Sequence, residues 1–175
     1  MKSKLIALSL FLAALLSSCD AVDDLLTFTI SNETSIKIKS TIPINLPSEI
    51  ITPDVTTNSS TEFQNNKTKA SLVKDVKIKS IRLSVSDPSD KTFKFLKSIH
   101  LYISTNDSNE IELAYQDNIN STTNTIDLIC TDARLDQYIK ADKYKIRTKV
   151  TLKETLTKDV TVKADMKFRV TADPF

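Results

Sequence analysis

The chain of 175 residues carries 24 lysines and arginines against 22 aspartates and glutamates, so no charge excess marks it for nucleic acid or an anionic surface. Glycine and tryptophan are both absent, and without glycine neither a phosphate-cradling P-loop nor a dinucleotide-binding fingerprint can form. A single histidine, His100, rules out a multi-histidine zinc centre.

Lys2 and Lys4 open the chain, and an uncharged apolar run follows from Leu5 to Leu16. Spanning a bilayer takes about 20 apolar residues, so this shorter run with its basic start reads as a secretory signal. At its end, Leu16-Ser17-Ser18-Cys19 resembles the lipobox of bacterial lipoproteins, in which small residues precede an obligatory cysteine that receives a diacylglycerol on sulfur. The resemblance implies that residues 1–18 are a signal removed by cleavage. Cys19 becomes the lipid attachment point, and residues 19–27 form a lipidated amino terminus and tether. It also implies that the acyl chains on Cys19 hold the protein on a membrane, each buried methylene contributing about 0.8 kcal/mol. Losing Lys2 and Lys4 leaves the remaining chain with balanced charge. Cys130 is then left without an intramolecular partner, so no disulfide framework is expected.

The glycine-free chain, rich in Lys, Ile and Asn, is also similar to small β-sandwich lipoproteins of Bacteroidota-type diderm bacteria. There, acids shortly after the lipidated cysteine signal surface display, which Asp20, Asp23 and Asp24 loosely match. In other diderm bacteria an aspartate directly after the cysteine favours retention in the inner membrane. The resemblance favours the outer membrane and leaves its face open.

After the tether, apolar residues alternate with polar ones, the pattern of half-buried strands. In TSIKIKSTIPIN, Ile36, Ile38, Ile42 and Ile44 point one way and Lys37 and Lys39 the other, and Pro43 suggests an edge or a strand end. The stretch near residues 46–70 is polar, carries two prolines and reads as a long loop. ASLVKDV, residues 70–76, suggests a short helical turn. In KIKSIRLSVSDP the apolar phase changes between Ile78 and Ile81, which predicts a β-bulge near Lys79 and Ser80. Further strands are expected in SIHLYIST, EIELAYQ and NTIDLIC, with Asn and Asp in the turns at 87–90, 106–109 and 117–120 where glycine would be usual. ARLDQYIKAD has Leu135, Tyr138 and Ile139 at helical spacing.

KYKIRTKVTL and KDVTVKADMKFRVT alternate most clearly, and ETLTK between them suggests a hairpin in which Val150 faces Val162 and Arg147 lies opposite Asp165. That register also sets Lys149 against Lys163 and Lys145 against Lys167. The fold expected for residues 28–175 is all-β: a single antiparallel β-sandwich, immunoglobulin-like or Greek-key, with one or two short helical crossovers. A small barrel is the alternative.

Chemistry is sparse in this pattern. His100 takes the parity opposite to Ile99, Leu101 and Ile103, so it is expected on the solvent side beside Ser98 and Tyr102. Residues two apart on a strand do not by themselves make an activated Ser-His pair. Asp20, Asp23 and Asp24, or Glu110, Glu112 and Asp117, are candidate calcium ligands but lack the spacing of a calcium loop. Cys130 shares the parity of Ile126 and Leu128 and is expected to be a buried, inert thiol. With no catalytic residue, metal or cofactor assigned, the reading is a lipid-anchored envelope lipoprotein. It would act as a non-catalytic binding or accessory module, with an envelope protein and not nucleic acid as its partner. The alternative is a ligand-binding or hydrolytic lipoprotein with an unrecognised site.

Overall fold

Apolar side chains at every second position need a second layer to bury them, and the chain supplies it by stacking two antiparallel sheets. The computed structural model describes residues 26–173, so Cys19 and Asp20, Asp23 and Asp24 lie outside the described residues. The first sheet has the order β1 (Thr27–Ile38), β10 (Val160–Ala172), β4 (Val73–Asp87) and β7 (Thr125–Asp127). The second runs β2 (Pro47–Ile51), β9 (Lys143–Leu152), β5 (Leu96–Ser104), β6 (Ile111–Gln116) and β8 (Ile129–Cys130), with β3 (Val55–Thr56) also pairing β9.

The facing sides form the core. Val162, Ala164, Met166, Phe168 and Val170 of β10 are all buried, as are Ile99, Leu101 and Ile103 of β5 in the opposite sheet. Phe168 meets Tyr144 of β9 edge to face, with ring centroids 6.3 Å apart, joining the layers through a favourable aromatic contact. The Tyr144 hydroxyl accepts a hydrogen bond from Asn32 Nδ2 at 3.1 Å, so this buried ring brings no unpaired polar atom with it.

The all-β sandwich expected from the alternation is the observed fold, and several local features follow the sequence. The β4–β10 register skips one residue between Ile78 and Ser80, placing the bulge at Lys79. Asn118, in the turn expected at 117–120, holds a positive φ of 50°, supplying a left-handed position that glycine usually takes, and Asn45 and Lys67 do the same outside the expected turns. Helix α2 (Asp136–Ile139) and a 3₁₀ turn at Ala70–Leu72 occupy the two short helical segments, although Val73 to Val76 already belong to β4.

Other expectations are corrected. The hairpin pairing Val150 with Val162 does not form: β9 pairs with β5 and β2, and β10 with β1 and β4. Residues 153–159 instead carry the chain from one sheet to the other. Alternation fixes which face a strand buries but not which neighbour it pairs with. The segment near 46–70 is not a plain loop, since β2, β3 and helix α1 (Ser59–Asn65) lie within it. Ile50 packs against the core and Phe63 sets its ring 6.2 Å from Phe28, so two apolar anchors order a polar stretch. β1 stops at Ile38, and Ile42 and Ile44 belong to the connection that follows. NTIDLIC is one apolar parity but two strands: β7 pairs with β4, buried Leu128 turns the chain, and β8 pairs with β6 across the sandwich. Cys130, expected buried, is only half-buried because β8 is a two-residue edge strand.

Candidate functional site

The outward positions of the second sheet gather residues that are scattered in sequence. Alternation along β5 turns His100 and Tyr102 to the surface between buried Ile99, Leu101 and Ile103. β9 likewise presents Arg147 and Lys149. Strict alternation along β6 would turn Tyr115 inward. The register instead shifts at Leu113, Leu113 and Ala114 are both buried, and Tyr115 emerges on the same face as Glu112. Pairing then sets Ile51 opposite Arg147, Arg147 opposite Tyr102, His100 opposite Tyr115 and Tyr115 opposite Ile129. The row crosses the sheet from β2 to β8, ending at Ile51 and Ile129, which are 72% and 49% exposed.

Contacts along the row hold it in place. The Arg147 guanidinium carbon sits 4.2 Å from the Tyr102 ring centroid, a cation–π contact of about 0.5–2 kcal/mol depending on desolvation. The His100 ring stacks near-parallel on Tyr102 and Tyr115, with centroids 6.5 Å and 5.6 Å away. Arg147 donates from Nε and Nη2 to the two carboxylate oxygens of Glu110, at 2.9 Å and 2.6 Å, and from Nη1 to Glu49 at 2.8 Å. This two-pronged donation holds the Glu110 carboxyl below its ordinary range and pushes the guanidinium up. Burial pushes the Tyr102 hydroxyl up, and the Glu112 carboxylate adds to that shift.

His100 is clasped by two acids. Its Nδ1 lies 2.7 Å from Oε1 of Glu112 and its Nε2 lies 3.3 Å from Oδ1 of Asp117. The partners of both ring nitrogens are thus carboxylates and not the hydroxyl of Ser98 or Ser104, the contact a serine nucleophile requires. The three acids weighed as calcium ligands are likewise divided, Glu110 serving Arg147 while Glu112 and Asp117 serve His100. Among the described residues no cluster of three or more His, Cys, Asp and Glu side chains is placed to hold a metal ion. Cys130 has its thiol pushed up by burial, which disfavours the reactive thiolate. At the β2 end of the row, Ile51, Ser104, Glu110, Lys145 and Arg147 border a groove of about 280 Å³.

Alternation placed His100, Tyr102 and Arg147 correctly at the surface, but gave Arg147 the wrong partner and missed Tyr115. The signal for Tyr115 was the Leu113-Ala114 pair, two successive core-type residues that break the alternation of EIELAYQ.

The chain matches no protein-family model, and no curated protein is similar to it in sequence. Among solved structures, FLHE aligns at 3% identity and a TM-score of 0.35, covering 84% of this chain and 98% of that one. The decameric BFDV capsid protein aligns at 7% identity and a TM-score of 0.41, covering 85% of this chain and 98% of that one. Values this low carry nothing about function.

Proposed function

We propose that the protein is a lipid-anchored lipoprotein of the bacterial cell envelope whose sandwich serves as a non-catalytic binding or accessory module. The observation that carries this reading is the run Leu16-Ser17-Ser18-Cys19 at the end of the apolar leader. Cys19 would take the acyl chains, and residues 20–26 would link it to β1, a tether of roughly 25–29 Å even at full extension. The sandwich would then stay close to the bilayer, on the outer membrane by the resemblance described above. The row of Ile51, Arg147, Tyr102, Tyr115 and Ile129 supports the binding role, because Tyr and Arg are enriched where proteins dock. The paired carboxylates around His100 support the non-catalytic one.

Replacing Cys19 tests the anchor. With Cys19→Ala, the chain is expected to leave the membrane pellet and to lose incorporation of a labelled fatty acid. Retention of both would reject the lipid anchor. Crosslinking in intact cells would report the envelope partner.

A further inference from the structure

We propose that the outer face of the second sheet is self-complementary, and that a second copy of this chain packs on it about a two-fold axis running along β5. The inference concerns the assembly of the domain and does not depend on the lipid anchor. Its basis is the way charge is distributed about the central strand. In the order β2-β9-β5-β6-β8, the β9 flank presents Lys145, Arg147 and Lys149, whereas β6 and its two ends present Glu110, Glu112 and Asp117. Beyond each flank stands an exposed isoleucine, Ile51 on β2 and Ile129 on β8, and β2 also carries Glu49, which Arg147 binds.

A half-turn about an axis lying in this face along β5 carries the β9 flank of one copy over the β6 flank of the other. Cations then meet carboxylates twice over, and Ile51 of each copy approaches Ile129 of its mate. Strand heights agree with this. Lys149 is level with His100 and Tyr115, next to Asp117, and although it stands opposite Glu49 of β2 it makes no salt bridge or hydrogen bond among the described residues, which leaves it available to a partner's acid. Arg147 is level with Tyr102 and Glu112. His100 and Tyr102, on the axis, meet their own copies, the isologous arrangement that a two-fold dimer requires. Opposite charges reflected across a central strand are what a second copy demands, whereas an unrelated partner would need no such symmetry.

The five strands hold five, ten, nine, six and two residues. At about 3.3 Å per residue and 4.8 Å between strands they give a plan area of roughly 500 Å², to which side-chain relief adds, against about 800 Å² per partner in stable complexes. The outer face of the first sheet shows no such division of charge between strands: Lys163 and Asp165 stand together on β10, and Arg82 pairs with Asp127 on the neighbouring strand.

The test is photo-crosslinking of the full chain in cells, with p-benzoylphenylalanine replacing Tyr102 and, as control, Ser84 on the outer face of the first sheet. The expected result is a species of twice the chain mass from position 102 and not from position 84. Lys149→Glu should lower its yield roughly tenfold, because like charges then oppose each other at both symmetric contacts. Adding Asp117→Lys in the same chain should restore it. The proposal is overturned if position 102 yields no homodimer, if it yields adducts only to a different protein, if position 84 yields as much, or if the charge reversal leaves the yield unchanged.

Discussion

The two outer faces of the sandwich are built on equally regular strands and differ in what their side chains do. On the first sheet the outward residues are lysines, arginines, threonines, serines and acids, and the charged pairs they make lie open to solvent. Arg82 and Asp127, for instance, are both more than 60% exposed. On the second sheet an arginine only 23% exposed is locked between two glutamates and the Tyr102 ring, and the lone histidine lies between that ring and Tyr115 with an acid at each ring nitrogen. The difference teaches that backbone regularity does not distinguish a solvated face from a prepared one. Desolvation and mutual support of the side chains do, because a pre-ordered row has less entropy left to lose on docking.

Inside, the two sheets should be equal, and breaking either should be costly. Phe168→Ala in the first sheet is expected to lose about 3–5 kcal/mol and Leu101→Ala in the second about 2–5 kcal/mol, read from urea denaturation. A loss below about 1 kcal/mol at either site would mean that the sandwich core is not shared by both layers.

One defect separates the inner faces. Thr148 of β9 is fully buried and its hydroxyl has no hydrogen-bond partner. Unsatisfied buried hydroxyls cost about 1–3 kcal/mol, so Thr148→Val should stabilise the protein by about 1 kcal/mol or more. A destabilised variant would show that the hydroxyl is satisfied in solution.

Outside, the comparison predicts asymmetry. Arg147→Ala is expected to cost about 1–2 kcal/mol through the lost bidentate pair and ring contact. Arg82→Ala, on the solvated face, should leave the urea midpoint unchanged within error. Equal effects would erase the distinction between the faces.

The smallest effect is acid dependence. Glu110 has its carboxyl lowered from an ordinary value of 4.5, first by the hydrogen bonds from Arg147. A group depressed on folding stabilises the folded state above its unfolded pKa, and that contribution disappears as pH falls through the lower folded value. Urea midpoints measured from pH 6 down to pH 3 should therefore fall further for the parent chain than for Arg147→Ala. Parallel curves would show that the pair contributes nothing.

Much of this molecule could be read in advance, and what could not has a common cause. The bulge at Lys79 was visible because Ile78 and Ile81 break phase, and the turn at Asn118 because Asn is one of the few residues that adopt positive φ readily. The partners of β9 and β10 were invisible, since both strands satisfy the same alternation whichever neighbour they take. For the site, parity gave the side on which His100, Tyr102 and Arg147 stand, but the Tyr115 contact depended on a bulge inside a six-residue strand.

By itself, then, the sequence determined the face of most strand residues, because burial follows the two-residue period wherever no bulge or strand end interrupts it. It also carries the Leu16-Ser17-Ser18-Cys19 run on which the anchor proposal rests. Tertiary structure alone decided that β9 and β10 lie in opposite sheets, that NTIDLIC crosses between them at Leu128, and that Arg147 meets Glu49 and Glu110 instead of Asp165. Pairing is a competition among all strands for hydrogen-bond partners and apolar cover, and its outcome is a property of the whole chain.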